Sequence, residues 1–130
     1  MSRMGKSDKE WQDQLTPDQY QVCRQQQTER PFTGVYCDSK ENGIYRCVCC
    51  GNDLFSSQTK YDSRSGWPSF WDAVDPTKIK KTDDHSLSMP RIEVSCAKCD
   101  AHLGHLFDDG PQPTGLRYCI NSVSLDLDKE

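Results

Sequence analysis

At 130 residues the chain has room for one domain with its own core, and a net charge of −4 with acids and bases interspersed argues against a nucleic-acid binder, which carries a basic patch. Hydrophobic residues make up only 34%, thin for this size, so a metal or disulfide staple is expected. No run is long and apolar enough to span a membrane and MSRMGKSDKEWQDQL lacks the apolar stretch of a secretory leader, so the default is a cytoplasmic, reducing location in which cysteines bind metal or do chemistry.

In chain order, residues 1–7 read as a disordered polar tail and 8–130 as a single domain. A short helix is expected over 8–15. "TPDQ" then signals a second start, with Thr16 as N-cap, Pro17 at the first helical position and Gln19 completing a capping box, and the helix runs to about residue 26. Beyond it the texture changes to short segments broken by Gly, Pro and Asp. "GVYCDSKENGIYRCV" predicts two strands joined at Asn42-Gly43, a strong tight-turn pair. Further strands are expected over 79–82, 91–95, 103–107, 116–120 and 123–127. The fold class is therefore α+β, mainly β: short N-terminal helices followed by antiparallel sheets.

Of the eight cysteines, four form two C-x-x-C pairs, Cys47 with Cys50 and Cys96 with Cys99. Two-residue spacing lets both sulfurs of a turn meet one ion, and two such turns complete a tetrahedral site. Each pair follows a predicted strand, so one structural zinc would tie the two halves of the domain together. A redox reading is weaker, because neither pair opens a helix. His102 and His105 could instead complete a site with Cys96 and Cys99, but Cys47 and Cys50 would then have no role. Cys49 is left as a bystander, and the reactive candidates are Cys23, Cys37, Cys49 and Cys119.

Cys119 sits in the closing stretch, "LRYCINSVSLDL". By period two Arg117, Cys119 and Asn121 share one face. The apolar phase flips between Ile120 and Val123, which requires a bulge, a break or a sheet corner there. In "HLGH" the two rings of a regular strand would point to opposite faces, but Gly104 permits a bend that brings them together. Trp67, between Gly66 and Pro68, is held on a turn, where it either walls a small apolar pocket or caps the core.

Taken together, "LTPDQYQV", "TERPFTGVY", "RCVCC", "GWPSF", "CAKCDAHLGHLFDDGPQPTG" and "RYCINSVSL" resemble the B-type methionine sulfoxide reductases, which act on the R epimer. The resemblance implies a pair of antiparallel sheets with a distal structural zinc, and Cys119 as the nucleophile. It places His102, His105 and Asn121 around the sulfoxide oxygen, Trp67 and Phe107 around the methyl group, and Arg117 beside the thiolate. It implies oxidised proteins as substrates, thioredoxin or a similar thiol as reductant, and a monomer. Where many members carry a second cysteine before G-W-P-S-F, this chain has Ser65, which cannot form a disulfide. Another cysteine or a reductant acting directly on the sulfenic acid must then restore Cys119. Cys23 is favoured as the resolving thiol, on a mobile N-terminal segment, with Cys37 as the other free candidate.

Thiolate activation alone supplies little: after the loss of nucleophilicity that accompanies lower basicity, even a strongly acidified thiol gains only about two- to threefold. A placed acid contributes roughly 10²–10⁴, which is the physical case for His102, His105 and Asn121. Two rival readings are a zinc-ribbon adaptor or chaperone module without chemistry, and a cysteine hydrolase. The hydrolase lacks a nucleophile elbow or helix N-terminus before Cys119.

Overall fold

The computed structural model describes residues 7–85 and 90–129, so the expected tail lies outside it except for Ser7. Helix α1 (Asp8–Gln14) starts at a capping box between Ser7 and Glu10. Helix α2 (Pro17–Gln25) starts at the one read from "TPDQ", with Thr16 accepting from the Gln19 amide and Gln19 from the Thr16 amide. It ends where Gln26 turns left-handed. Trp11, Leu15, Val22 and Cys23 form the buried face of this pair. Among the described residues no helix is long and apolar enough to cross a membrane.

The strands are β1 (Gly43–Cys47), β2 (Asp53–Ser56), β3 (Lys60–Tyr61), β4 (Ser69–Phe70), β5 (Ile79–Asp84), β6 (Arg91–Cys96), β7 (His102–Phe107), β8 (Arg117–Ile120) and β9 (Leu125–Lys129). They form two antiparallel sheets, β2-β1-β9 and β3-β4-β8-β7-β6-β5. An aromatic cluster joins the sheets. Phe55 of the small sheet stacks on Phe70 of the large one at 4.5 Å, Tyr45 meets Phe70 edge-on at 5.2 Å, and Phe55 meets Tyr118 at 5.4 Å. Each such pair adds about 0.5–1.5 kcal/mol beyond its buried area.

One expectation is corrected. The hairpin through Asn42-Gly43 does not form: Gly43 is the first residue of β1, and residues 34–38 are turns closed by Cys37 N–H on the Gly34 carbonyl. The partner that hairpin would have supplied is β9, registered from Gly43↔Lys129 to Cys47↔Leu125. Tyr36 serves by packing instead, its ring edge-on to Tyr45 at 5.3 Å and its hydroxyl accepting from the Leu127 amide. The separate strands expected over 116–120 and 123–127 are β8 and β9, with β9 starting at Leu125 rather than Val123. A 3₁₀ turn at Ser122–Ser124 ends β8 in the large sheet and delivers β9 to the small one. The phase flip after Ile120 is this corner. Strands β2, β3 and β4 were not anticipated; β2 buries both Leu54 and Phe55 and so shows no alternation.

Candidate active site and metal centre

The site is built on β7 and β8. Along β6 and β7 the register runs Val94↔Gly104 but Ser95↔His102, so Leu103 is an extra, bulged residue. A bulge shifts side-chain parity by one, which puts His102 and His105 on one face with ring centroids 5.5 Å apart. The bulged Leu103 carbonyl does not go unpaired: it accepts from both the backbone and the side-chain amide of Asn121, each at 2.9 Å. Gly104 is required at the next position, since a Cβ there would lie 1.9 Å from the Cys119 carbonyl oxygen.

Across the ladder His105 pairs with Cys119, and Phe107 with Arg117. Cys119, His105, Phe107 and Asn121 line a pocket of about 80 Å³ closed by Trp67, Arg91 and Thr28. Liquid water occupies ~30 Å³ per molecule, so the space suits the end of one side chain rather than a whole ligand. Trp67 is fixed by its indole N–H, which donates to the Glu29 carbonyl at 3.0 Å. The Glu29 amide donates to Asn121 Oδ1 at 3.0 Å, and its carboxylate accepts from the Val123 amide at 3.0 Å. The segment around Glu29 is thus a strap pinned to both walls of the pocket. With Oδ1 taken and one Nδ2 hydrogen on Leu103, Asn121 keeps one N–H.

The histidines are oriented by carboxylates that the sequence reading missed. His102, 3% exposed, holds Glu93 Oε2 through Nδ1 at 2.7 Å, and Gln26 binds the same carboxylate. The His102 bond keeps the Glu93 carboxyl below its usual range against the opposing effect of burial. His105 holds Asp84 Oδ2 through Nε2 at 2.7 Å, and Arg91 reaches that oxygen at 3.4 Å. Burial pushes the His105 pKa down, with Asp84 pulling the other way, so the ring is neutral near pH 7 and Nδ1 is the nitrogen left for a ligand. Glu93 and Asp84 lie within strands whose only signal was a charge at a position facing inward.

Cys119 is half-buried. Burial raises its thiol above the ordinary value, while the Ser65 hydroxyl, 3.7 Å from Sγ, and the Arg117 guanidinium act against that rise. The resting group is therefore a thiol, and thiolate activation contributes little. Arg117 is held by a two-point ion pair to Asp109 (2.8 and 3.1 Å) and lies over the Phe107 ring at 4.2 Å.

Cys23 is not brought to this pocket. It is 2% exposed, with Sγ 3.6 Å from Ser124 Oγ on the packed face of α2, so the expectation of a mobile thiol is not met. Cys37 is half-buried beside Lys60 and Tyr61 in a separate hollow of about 290 Å³. Cys49 is buried, 5% exposed.

The sulfurs of Cys47, Cys50, Cys96 and Cys99 all lie within 4.8 Å of one another. Cys47 is 3.6 Å from Cys99, and Cys50 3.6 Å from Cys96. Four thiolates around zinc at 2.3 Å would be spaced by about 3.8 Å, and a disulfide would need about 2.05 Å. The residues present fit a tetrathiolate ion. Both turns share one backbone pattern: Cys47 and Cys96 each accept from the residue four on, left-handed Gly51 and Asp100, and each donates to the carbonyl one further. Arg24 Nη2 approaches Cys99 Sγ at 3.8 Å and Asn52 Nδ2 approaches Cys96 Sγ at 3.5 Å, contacts that favour thiolate.

Comparison with known proteins gives a consistent result. The SelR domain family matches residues 15–129. A Hahella chejuensis protein named peptide methionine sulfoxide reductase MsrB is 62% identical over 125 residues, covering 96% of this chain and 90% of the relative. Proteins of the same name from Saccharophagus degradans and Methanosarcina mazei are 56% and 54% identical. They cover 100% and 99% of this chain, and 98% and 92% of the relatives.

Proposed function

Since the chain belongs to the SelR-domain family of peptide methionine sulfoxide reductases, we propose that it reduces protein-bound methionine-R-sulfoxide with Cys119 as the nucleophile. The observation that carries this reading is the small pocket itself, where one thiol, one neutral imidazole and two aromatic rings converge. Trp67 and Phe107 receive the methyl group, and its size excludes bulkier sulfur substituents.

In the reaction Cys119 Sγ attacks the sulfoxide sulfur while the sulfoxide oxygen takes up the thiol proton. That attack forms an Sγ–S bond; the hydroxyl then passes to Sγ as the S–O and S–S bonds to the substrate sulfur both break, so the thioether leaves and Cys119 is a sulfenic acid, with atoms and electrons balanced without another reactant. Because the resting group is a thiol, its proton is at hand. His105 Nδ1 is the carrier between sulfur and oxygen, Asp84 stabilising the transient imidazolium through Nε2. The remaining Asn121 N–H donates to the oxygen. His102, fixed by Glu93, does not line the pocket and supports it through its edge-on contact with the His105 ring, and Arg117 steadies the negative charge on sulfur.

Zinc held by Cys47, Cys50, Cys96 and Cys99 would supply folding free energy rather than chemistry. Recycling is the direct attack of an external thiol, thioredoxin or a similar reductant, on the sulfenic acid, because Ser65 stands 3.7 Å from Cys119 Sγ and Cys23 is packed elsewhere. A cytoplasmic monomer completes the proposal, since eight unbridged cysteines suit a reducing compartment.

The test is turnover of a dabsylated methionine-R-sulfoxide with dithiothreitol. The R epimer is reduced, while the S epimer and the Cys119→Ser variant give no product. After one turnover without reductant, mass spectrometry finds oxygen retained on Cys119; a Cys23–Cys119 disulfide would overturn the recycling step. A folded, zinc-loaded chain that turns over neither epimer would falsify the whole reading.

A further inference from the structure

Behind Cys119 lies a row of three hydroxyls. Ser65 Oγ is 3.7 Å from Cys119 Sγ, Ser63 Oγ is 2.7 Å from Ser65 Oγ, and Ser69 Oγ is 2.6 Å from Ser63 Oγ. Ser69, fully buried, donates to the Trp67 carbonyl at 3.2 Å. Each hydroxyl has one hydrogen to give, and Ser65 Oγ also has the Trp67 carbonyl within reach at 3.5 Å. With Ser69 bound to that carbonyl at the shorter distance, Ser63 donates to Ser69, Ser65 to Ser63 at 2.7 Å rather than to the carbonyl at 3.5 Å, and the Cys119 S–H to Ser65. When the sulfur becomes negative every member can turn over, and Ser65 then donates to sulfur with Ser63 donating to Ser65.

We infer that Ser63, with Ser69 behind it, is a positioning residue that aims the Ser65 hydroxyl at Cys119 and lets it switch from acceptor to donor as charge develops on sulfur. The inference rests on Cys119 being the attacking thiol. The row ends on a peptide carbonyl, which cannot take a proton at neutral pH, so it is not a proton wire. No bond to hydrogen breaks; three O–H groups rotate. Coupled hydroxyls polarise one another, so Ser63 both pins the Ser65 rotamer and strengthens Ser65 as a donor. The amides of Ser65 and Trp67 lean on the same row, donating to Ser63 Oγ at 3.3 Å and to Ser65 Oγ at 3.4 Å.

Other charged or titratable groups face the sulfur too: Arg117 on its own strand with Asp109 behind it, Tyr61 of β3, His105 of β7 and Arg91 of β6. Because none of these is altered in the variants below, a change in thiol behaviour reads the row.

The experiment is the pH profile of Cys119 alkylation by iodoacetamide, resolved by peptide mass spectrometry from the other cysteines, in the metal-loaded protein. Ser65→Ala slows alkylation at pH 7 roughly three- to tenfold by raising the midpoint, the loss of about one modest hydrogen bond to the sulfur. Ser63→Ala slows it about twofold, a fraction of the Ser65 bond, and Ser63→Thr, which keeps the hydroxyl, restores the wild-type profile. The double variant behaves as Ser65→Ala alone, because Ser63 acts only through Ser65. An unshifted profile in Ser63→Ala, or a Ser63 effect that persists undiminished without Ser65, would overturn the inference. The alkylation readout does not depend on turnover, so a failure of the Cys119 assignment, visible as activity surviving in Cys119→Ser, is distinguished from a failure of the row.

Discussion

Glu93 shows how much of the site rests on single residues that never meet substrate. Its side chain is 15% exposed and holds His102 at 2.7 Å, and that bond keeps the carboxyl below its ordinary range. A carboxylate whose folded pKa is depressed adds stability above its unfolded value, about 4.3 for glutamate, and loses it as pH falls through the lower folded value. Glu93→Gln should therefore cost roughly 1.5–3 kcal/mol near pH 7, the range for a hydrogen bond to a charged group. The deficit should close once the wild-type carboxyl is protonated too. Urea midpoints of both proteins near neutrality and at acid pH check this, and equal deficits at the two pH values would remove the linkage. The four clustered sulfurs were legible because spacing and residue type sit next to each other in sequence. Glu93, Asp84 and Arg91 were not, because what matters is their register against β7, and register is a long-range property.

At the scale of elements the controlling feature is the bulge at Leu103 and the glycine after it. The bulge turns two histidines onto one face, Asn121 seals its carbonyl, and Gly104 lets β8 approach so closely that a Cβ would reach the Cys119 carbonyl. Gly104→Ala must push β8 outward at Cys119, the proposed nucleophile. Overpacking of this kind costs about 1–3 kcal/mol, and displacement of a reacting group by about an ångström costs up to 10²-fold in rate. The expected result is a lower urea midpoint and a fall in kcat of roughly 10–100-fold; wild-type kcat in a destabilised variant would show that β8 keeps its place. "HLGH" did reveal this bend, and the phase flip after Ile120 did reveal that the chain changes course. What Ile120-to-Val123 could not reveal is that the chain changes sheets, since a flip records a change of face and not of partner. The Asn42-Gly43 turn misled for a related reason: local turn chemistry favoured a hairpin, and the strand that pairs with Gly43–Cys47 comes from the far end of the chain.

Over the whole molecule the cysteine cluster occupies the seam between the sheets. Cys47 ends β1 and Cys50 lies in the turn before β2 of the small sheet, while Cys96 ends β6 and Cys99 lies in the turn before β7 of the large one. Arg24, stacked on Trp11 at 4.4 Å and donating to the Cys99 carbonyl at 2.9 Å, fastens the helices to the same point. A structural zinc contributes about 10–16 kcal/mol to folding, whereas a typical domain has only about 5–15 kcal/mol in all. With 34% hydrophobic residues the chain has little else to draw on. If the four sulfurs hold zinc as proposed, its removal should therefore unfold both sheets together. Chelation of the wild-type protein, or Cys50→Ser, should abolish the near-ultraviolet dichroism of the Tyr45, Phe55, Phe70 and Tyr118 cluster and release one zinc per chain. Cys119→Ser should keep its zinc and its spectrum while losing turnover, because its sulfur has no part in the seam. If the metal-free chain kept its aromatic signal, the two sheets would be held by the aromatic cluster alone and the four sulfurs would need another purpose.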